Sequence, residues 1–157
     1  MMNESESAGQ KQEKKAFPRI AEVVIDCTSP RRLAEFYRKI LGYEYLKDMG
    51  QEMPEEGQPD PAGDDWLNLM DPEKRVHLAF QKVDRLPRST WPEDEIPQQM
   101  HLDLMVRSRE ELDRQHQVVL ELGGVLLREH LESDQPIRIY ADPEGHPFCI
   151  FVADWEV

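Results

Sequence analysis

The chain has 157 residues and a formal net charge of −13, and this length suits one compact domain or one domain built from two similar halves. The negative charge argues against nucleic acid as a partner, because phosphate binding needs a basic surface. A membrane span is not predicted either, because the sequence contains no run of about 18 apolar residues.

The N-terminal segment, residues 1–17, is polar and shows no apolar periodicity, which predicts a disordered tail. No apolar segment follows its lysines, so it does not have the form of a signal peptide. Both cysteines, Cys27 and Cys149, fall within predicted strands or at their ends. Without a signal peptide, a reduced cytoplasmic location is the expectation.

The first half of the chain, residues 18–84, is predicted to hold a strand, a helix and three more strands. Residues 18–28 are a β-branched run of strand length, and Ser29-Pro30 is a typical helix start. Apolar residues then recur at helical spacing from Leu33, and Gly42 suits the left-handed position after a helix. The further strands are predicted over residues 43–46, 65–70 and 75–83.

A proline-rich linker is predicted over residues 85–99, and after it the same plan restarts. A strand over residues 100–106 precedes Ser108 and Glu111, whose spacing is that of a helix capping box. The helix extends to about residue 122 and ends at Gly123-Gly124. The last three strands are predicted over residues 125–131, 137–142 and 146–153.

The order of elements therefore repeats, and this repeat predicts an α+β fold of two βαβββ modules within a single domain over residues 18–157. Module one spans about residues 18–84 and module two about residues 100–155. The helix of each module covers one face of its sheet, so the other faces either pack together or enclose something. Two curved sheets side by side form a cleft, which is a natural site for a small-molecule ligand.

Three stretches carry a resemblance to a known family: "IDCTSPRRLAEFYRKILGYEY" (25–45), "HLDLMV" (101–106) and "DPEGHPFCIF" (142–151). Together with the two-module order, they resemble the vicinal oxygen chelate superfamily of glyoxalase, bleomycin-resistance and extradiol dioxygenase proteins. The resemblance covers residues 20–153. It implies a curved, eight-stranded mixed sheet with a U-shaped cleft, and it implies a homodimer, because family members often pair.

The resemblance also implies positions for a metal site, because the metal-using members place a divalent ion in the cleft. Their ligands come from the first and last strands of each module, and the ion acts as a Lewis acid on two adjacent substrate oxygens. Those positions fall on Glu22, His101, Cys149 and Leu78, or on His77 if the first turn is one residue shorter. Leucine cannot bind a metal, and a thiolate is a softer ligand than the family's carboxylate. We therefore expect no firmly held metal, with nickel, zinc, iron or manganese as the alternative.

Polar residues of the predicted cleft are the candidates for catalysis. His101 and Glu22 are candidate catalytic residues, because a histidine or glutamate that faces a cleft can act as a general base. Asp103 lies two residues after His101 on the same strand face, where it would orient His101 or anchor a polar ligand. The alternative for each is a structural role, with His101 hydrogen-bonded to a neighbour and Glu22 exposed to solvent.

Apolar and aromatic residues are the candidates to line the cleft. Trp66, Phe80 and Cys149 are predicted to contact a ligand, since small ligands bind in apolar pockets with few polar groups. Core packing explains these three residues equally well. Trp91, in the predicted linker, and Trp155 are candidates to cap the cleft or an interface.

Three functions are consistent with these residues. The first is a glyoxalase-like protein that binds or transforms a small organic molecule in the cleft without a firmly held metal. The second is a metal-dependent lyase, isomerase or dioxygenase. The third is a non-catalytic, antibiotic-sequestering protein of the bleomycin-resistance type.

Overall fold

The computed structural model describes residues 18–154. The predicted tail, 1–17, and Trp155 lie outside the described residues. Within that range, the predicted order of one strand, one helix and three strands, repeated once, is confirmed. The elements are β1 (Val23–Cys27), α1 (Pro30–Leu41), β2 (Glu44–Tyr45), β3 (Trp66–Met70), β4 (Leu78–Lys82), β5 (Leu102–Val106), α2 (Arg109–Glu121), β6 (Val125–His130), β7 (Ile137–Ala141) and β8 (Pro147–Val152).

The strands form two four-stranded sheets, ordered β1-β4-β3-β2 in the first module and β5-β8-β7-β6 in the second. In each sheet the first and last strands of the module pair in parallel, and the remaining pairs are antiparallel. The parallel pair is possible because the helix provides the crossover between its two strands. The predicted α+β fold of two mixed βαβββ modules is therefore confirmed.

Both helices begin and end where the sequence predicts. Helix α1 follows Ser29, although that side chain makes no capping hydrogen bond, and it ends at Gly42, whose φ of 70° is left-handed. Helix α2 is capped by Ser108, whose hydroxyl oxygen accepts a hydrogen bond from the Glu111 amide. Neither helix of the described residues is long and apolar enough to cross a bilayer.

One hydrophobic core joins the two modules. Phe148, from β8, packs edge-on against Phe36 and Tyr37 of α1, with ring centroids 5.8 and 6.1 Å apart, and it stacks on Tyr140 at 5.3 Å. All four residues are almost fully buried. Burying a phenylalanine side chain stabilises a fold by about 1.5–3 kcal/mol, so this aromatic cluster holds the first helix against the second sheet. The helix-facing sides of the sheets are therefore used for the core, and the opposite faces are available to form a ligand site.

Candidate functional site

A cavity of about 380 Å³ lies on the face of the second sheet that points away from α2, and we call it the second-module pocket. Asp103 on β5 pairs with Cys149 on β8, which in turn pairs with Ile139 on β7. Residues in register on neighbouring strands share a face, so these three side chains point into the same space. The lining residues are Trp91, Gln98, His101, Asp103, Gln135, Ile137, Ile139, Pro147, Phe148, Cys149 and Phe151.

Three polar side chains meet at one side of this pocket. The Cys149 thiol donates a hydrogen bond to Asp103 Oδ1 at 2.8 Å, and His101 Nε2 lies 3.2 Å from the same oxygen. Burial raises the pKa of Cys149 to about 12, and the hydrogen bond to Asp103 and the Asp103 charge add to this effect. Cys149 is therefore a neutral thiol at physiological pH. It is a hydrogen-bond donor rather than a nucleophile, because nucleophilic attack needs the thiolate.

The linker supplies an aromatic wall of the pocket. Trp91 lies among the lining residues, and the Arg128 guanidinium sits over its ring, 5.4 Å from the ring centroid. A guanidinium over an aromatic face is an attractive contact that fixes the ring's orientation. Trp91 therefore borders the second-module pocket, and its role as a cap of the cleft stays a prediction.

A second cavity, of about 500 Å³, lies between the modules, and we call it the junction cavity. Four consecutive residues of β1, Val23, Val24, Ile25 and Asp26, line it. Successive side chains of a strand point to opposite faces of the sheet. A cavity lined by four consecutive residues therefore lies along the unpaired edge of β1. Linker residues 86–87, 89 and 96–99, residues 100–102 and the turn 144–147 also line it, together with Tyr37 and Gln81. His101, Gln98 and Pro147 line both cavities, so the two adjoin.

A buried carboxylate beside the junction cavity joins the two modules. Asp142 has no exposed surface, and its Oδ2 accepts a hydrogen bond from the Tyr37 hydroxyl at 2.9 Å. Its Oδ1 accepts three more from the amides of Glu144, Gly145 and His146. The "DPEG" sequence signals such a turn, since an aspartate can accept bonds from the amides that follow it. Tyr37, the partner on α1, is 105 residues away in the sequence, so no local pattern predicts its hydrogen bond to Asp142.

The same turn makes a further contact with the first module, because Glu144 accepts hydrogen bonds from the amide and hydroxyl of Thr28. Within the turn, His146 Nδ1 lies 2.8 Å from Asp142 Oδ2. Gly145 has a φ of 98°, and a Cβ there would also meet the Arg88 side chain, so only glycine suits this position. Burial lowers the pKa of His146, but hydrogen bonding and the Asp142 charge outweigh it, so the net shift is upward.

The raised pKa of His146 predicts a pH-dependent contribution to stability. A histidine whose pKa is higher in the folded than in the unfolded state stabilises the fold fully below its unfolded value, about 6.5. That stabilisation disappears as the pH rises through the folded pKa. We expect wild type to exceed His146→Gln in unfolding free energy at pH 6 and to lose part of this advantage by pH 9, as measured by urea unfolding. His130→Gln, at an exposed position, is the control. A difference that does not change with pH would contradict the expectation.

In the first module, a closed polar network involves the predicted residues Glu22 and Trp66. Asn68 donates a hydrogen bond to Glu22 Oε2 at 2.7 Å and accepts one from Trp66 Nε1 at 2.9 Å. Gln51, which is 4% exposed, bonds to both the backbone amide and the side chain of Asn68. Glu22 and Trp66 line neither cavity. Their predicted roles in catalysis and ligand contact stay predictions, and the observed contacts are structural.

The structure places Phe80 in the core and not in the cleft that it was predicted to line. Its side chain has no exposed surface and stacks on Tyr37 of α1, with ring centroids 5.9 Å apart. Its cross-strand partners, Ile25 and Leu67, also belong to or pack against the core under the helix. Phe80 therefore faces α1 rather than the open side of the first sheet. Its buried neighbours Leu78 and Ala79 leave no alternation along β4 from which to assign the face.

The candidate metal ligands do not form a metal site among the described residues. Glu22 is bonded to Asn68, and His77 accepts a hydrogen bond from the Asp71 amide through Nδ1. Among the described residues, His101 and Cys149 line the same pocket, and Cys149 there is a protonated thiol. Within residues 18–154, no group of three or more His, Cys, Asp or Glu side chains is placed to hold a metal ion. The residues present thus do not fit the superfamily's metal site, and we assign no reaction step to a metal.

Two βαβββ modules beside a ligand-sized cleft define a vicinal oxygen chelate protein. The chain belongs to the glyoxalase-like domain family, which its sequence matches over residues 22–151. No curated protein shows significant sequence similarity to it. Family membership agrees with the resemblance of the three sequence stretches.

Solved structures show the same fold at low sequence identity. A glyoxalase/bleomycin resistance protein/dioxygenase family enzyme from Burkholderia phytofirmans PsJN is 16% identical, with a TM-score of 0.60 over 84% of this chain and 96% of that one. The fosfomycin resistance protein FosX from Mesorhizobium loti is 9% identical, with a TM-score of 0.60 over 88% and 95%. FosX from Listeria monocytogenes is 12% identical, with a TM-score of 0.60 over 90% and 96%. These likenesses concern the fold alone.

Proposed function

We propose that the protein binds a small organic molecule in the second-module pocket and does so without a firmly held metal. One observation carries the proposal: His101, Asp103 and Cys149 converge on one side of a pocket whose other walls are mainly apolar and aromatic, with Gln98 and Gln135 as the remaining polar residues. Small-molecule sites have this composition, with apolar walls for affinity and a few placed polar groups for orientation. A volume of about 380 Å³ suits a small organic ligand.

Proton transfer on the bound molecule is a second candidate function, and the His101–Asp103 pair favours it. His101 Nε2 lies 3.2 Å from Asp103 Oδ1, so the carboxylate adjoins the ring. A histidine beside a carboxylate is a frequent general base. The ring is about half exposed, so a ligand in either adjoining cavity can reach it.

We also propose a reducing cytoplasmic location. Cys27 and Cys149 are both free and buried in the structure. Free thiols without a disulfide are usual in the cytoplasm, where glutathione keeps them reduced.

A thermal-shift screen of metal-free protein tests the proposed function. We expect hits among small aromatic compounds in the presence of EDTA. A ligand at about 100 times its Kd adds about 2.7 kcal/mol to the unfolding free energy, which raises Tm by about 5–10 °C. Ile139→Trp fills the pocket and should abolish these shifts. Leu127→Trp, a matched change at an exposed position of the edge strand β6, should keep them.

Two outcomes of this screen contradict the proposal. Hits that persist in Ile139→Trp would place the ligand elsewhere. Hits that appear only after nickel, zinc, iron or manganese is added would restore the metal-dependent alternative.

A further inference from the structure

We propose that the ligand of the second-module pocket is an organic cation, a protonated amine attached to a flat apolar body. This inference rests on the proposed function and adds the chemical class of the ligand. The ammonium group binds Asp103, and the apolar body lies against Ile137, Ile139 and Phe151.

Asp103 has one carboxylate oxygen available for a ligand. The Cys149 thiol and His101 Nε2 both approach Oδ1, at 2.8 and 3.2 Å. Within residues 18–154, Oδ2 has no hydrogen-bond partner, and the side chain is 57% exposed. A carboxylate accepts hydrogen bonds and does not donate them, so a ligand must bring the donor. A charged donor such as an ammonium makes a shorter and stronger bond than a neutral one.

The described walls of both cavities lack a permanently charged cation that would compete with the ligand. In the described part of the chain, no Lys or Arg lines either cavity. His146 faces Asp142, and Glu144 is bonded to Thr28. Arg128 is engaged above the Trp91 ring.

The positive charge of Arg138 is also directed away from the pocket. It pairs with Glu129 and Asp113, and it donates to a carbonyl of α2 on the helix side of the sheet. The chain as a whole carries −13, and this net charge favours the approach of cations over that of anions.

One part of the remaining surface of the pocket suits a flat apolar group. Ile137 and Ile139 lie on the same face of β7, about 6–7 Å apart along the strand. Ile137 pairs with Phe151 and Ile139 with Cys149, so these four side chains form a continuous patch next to Asp103. Trp91 borders the patch from the linker. A ring that lies on this patch can bring a short aminoalkyl chain to Asp103.

Three probes that differ mainly in charge test the inference by isothermal titration calorimetry at low ionic strength and pH 7. The probes are tryptamine, tryptophol and indole-3-propionate, which share an indole and carry positive, zero and negative charge. We expect tryptamine to bind at least about tenfold more tightly than tryptophol and indole-3-propionate to bind weakest. The advantage of tryptamine should shrink as salt is raised, because Asp103 is partly exposed.

Asp103→Asn removes the charge and keeps an oxygen acceptor for the Cys149 thiol. It should reduce tryptamine affinity to that of tryptophol and leave tryptophol binding unchanged. Asp64→Asn, in an exposed loop of the first module, changes the net charge equally and should leave the preference intact.

The two proposals can fail separately. Equal binding of tryptamine and tryptophol, lost in Ile139→Trp, overturns the cationic ligand while the proposed pocket stands. A tryptamine preference that survives in Asp103→Asn, or no binding of tryptamine at all, also overturns it. Failure of the proposed function is seen in the thermal-shift screen, where hits persist in Ile139→Trp or need a metal.

Discussion

Replacing Asp142 with alanine is expected to lower the free energy of unfolding by about 3–5 kcal/mol. The carboxylate is fully buried and accepts hydrogen bonds from the Tyr37 hydroxyl and from three successive amides of its own turn. His146 faces it as well. The substitution leaves all these groups without their acceptor at the junction of the modules, and unpaired buried polar groups are costly.

Urea unfolding measures this effect, and two variants calibrate it. Asp134→Ala, in an exposed loop, should change stability by less than about 0.5 kcal/mol. Asp71 begins the corresponding turn of the first module and is also buried, but its partners, Glu73 and Arg75, belong to that same exposed turn. Water can replace the Asp71 carboxylate as the acceptor in that exposed turn. Asp71→Ala should therefore lower the free energy of unfolding by less than Asp142→Ala does. Equal costs for the two would contradict a special role of Asp142 between the modules.

The link between Asp142 and Tyr37 can be isolated by a double-mutant cycle. Tyr37→Phe removes the hydroxyl that donates to Asp142 and leaves the aromatic packing against Phe148 in place. For residues in direct contact, coupling energies are about 0.5–3 kcal/mol. A coupling in this range would show that the hydroxyl and the carboxylate stabilise the fold as a pair.

The fold was predictable because its signals are local and repeated. The helical spacing from Leu33 to Leu41, Gly42 after it and the Ser108 cap each define an element from neighbouring residues. The repetition of the same order then defines the modules. Helix-facing residues of β1, such as Ile25, alternate with exposed ones, which is typical of a strand with one buried face.

The site was predictable only in part, because strand faces are ambiguous where both are buried. Residues 147–151 of β8 are all buried, so no alternation in the sequence shows that the Cys149 side chain points away from α2 while the Phe148 ring packs against α1. The grouping of His101 with Asp103 followed from their spacing, and their contact with Cys149 depends on the register of β5 and β8. The closed network around Asn68 depends on Gln51, which comes from a loop. Such long-range contacts leave no periodic pattern.

The strongest test of the Phe80 placement separates stability from ligand binding. Phe80→Ala is expected to lower the free energy of unfolding by about 3–5 kcal/mol, because it leaves a cavity beside Tyr37 under α1. Phe80→Leu retains most of the volume and should cost less.

Because Phe80 lies on the helix side of its sheet, Phe80→Leu should bind a ligand from the thermal-shift screen with the affinity of the wild type. Ile139→Ala, which shortens a side chain of the second-module pocket, should weaken the same ligand. Urea unfolding and calorimetric titration of these variants provide the two measurements. A loss of affinity in Phe80→Leu with little loss of stability in Phe80→Ala would contradict the core position and return Phe80 to the cleft. The opposite pattern would mean that the first sheet uses its aromatic residues to hold α1, and that ligand selection depends on the second sheet.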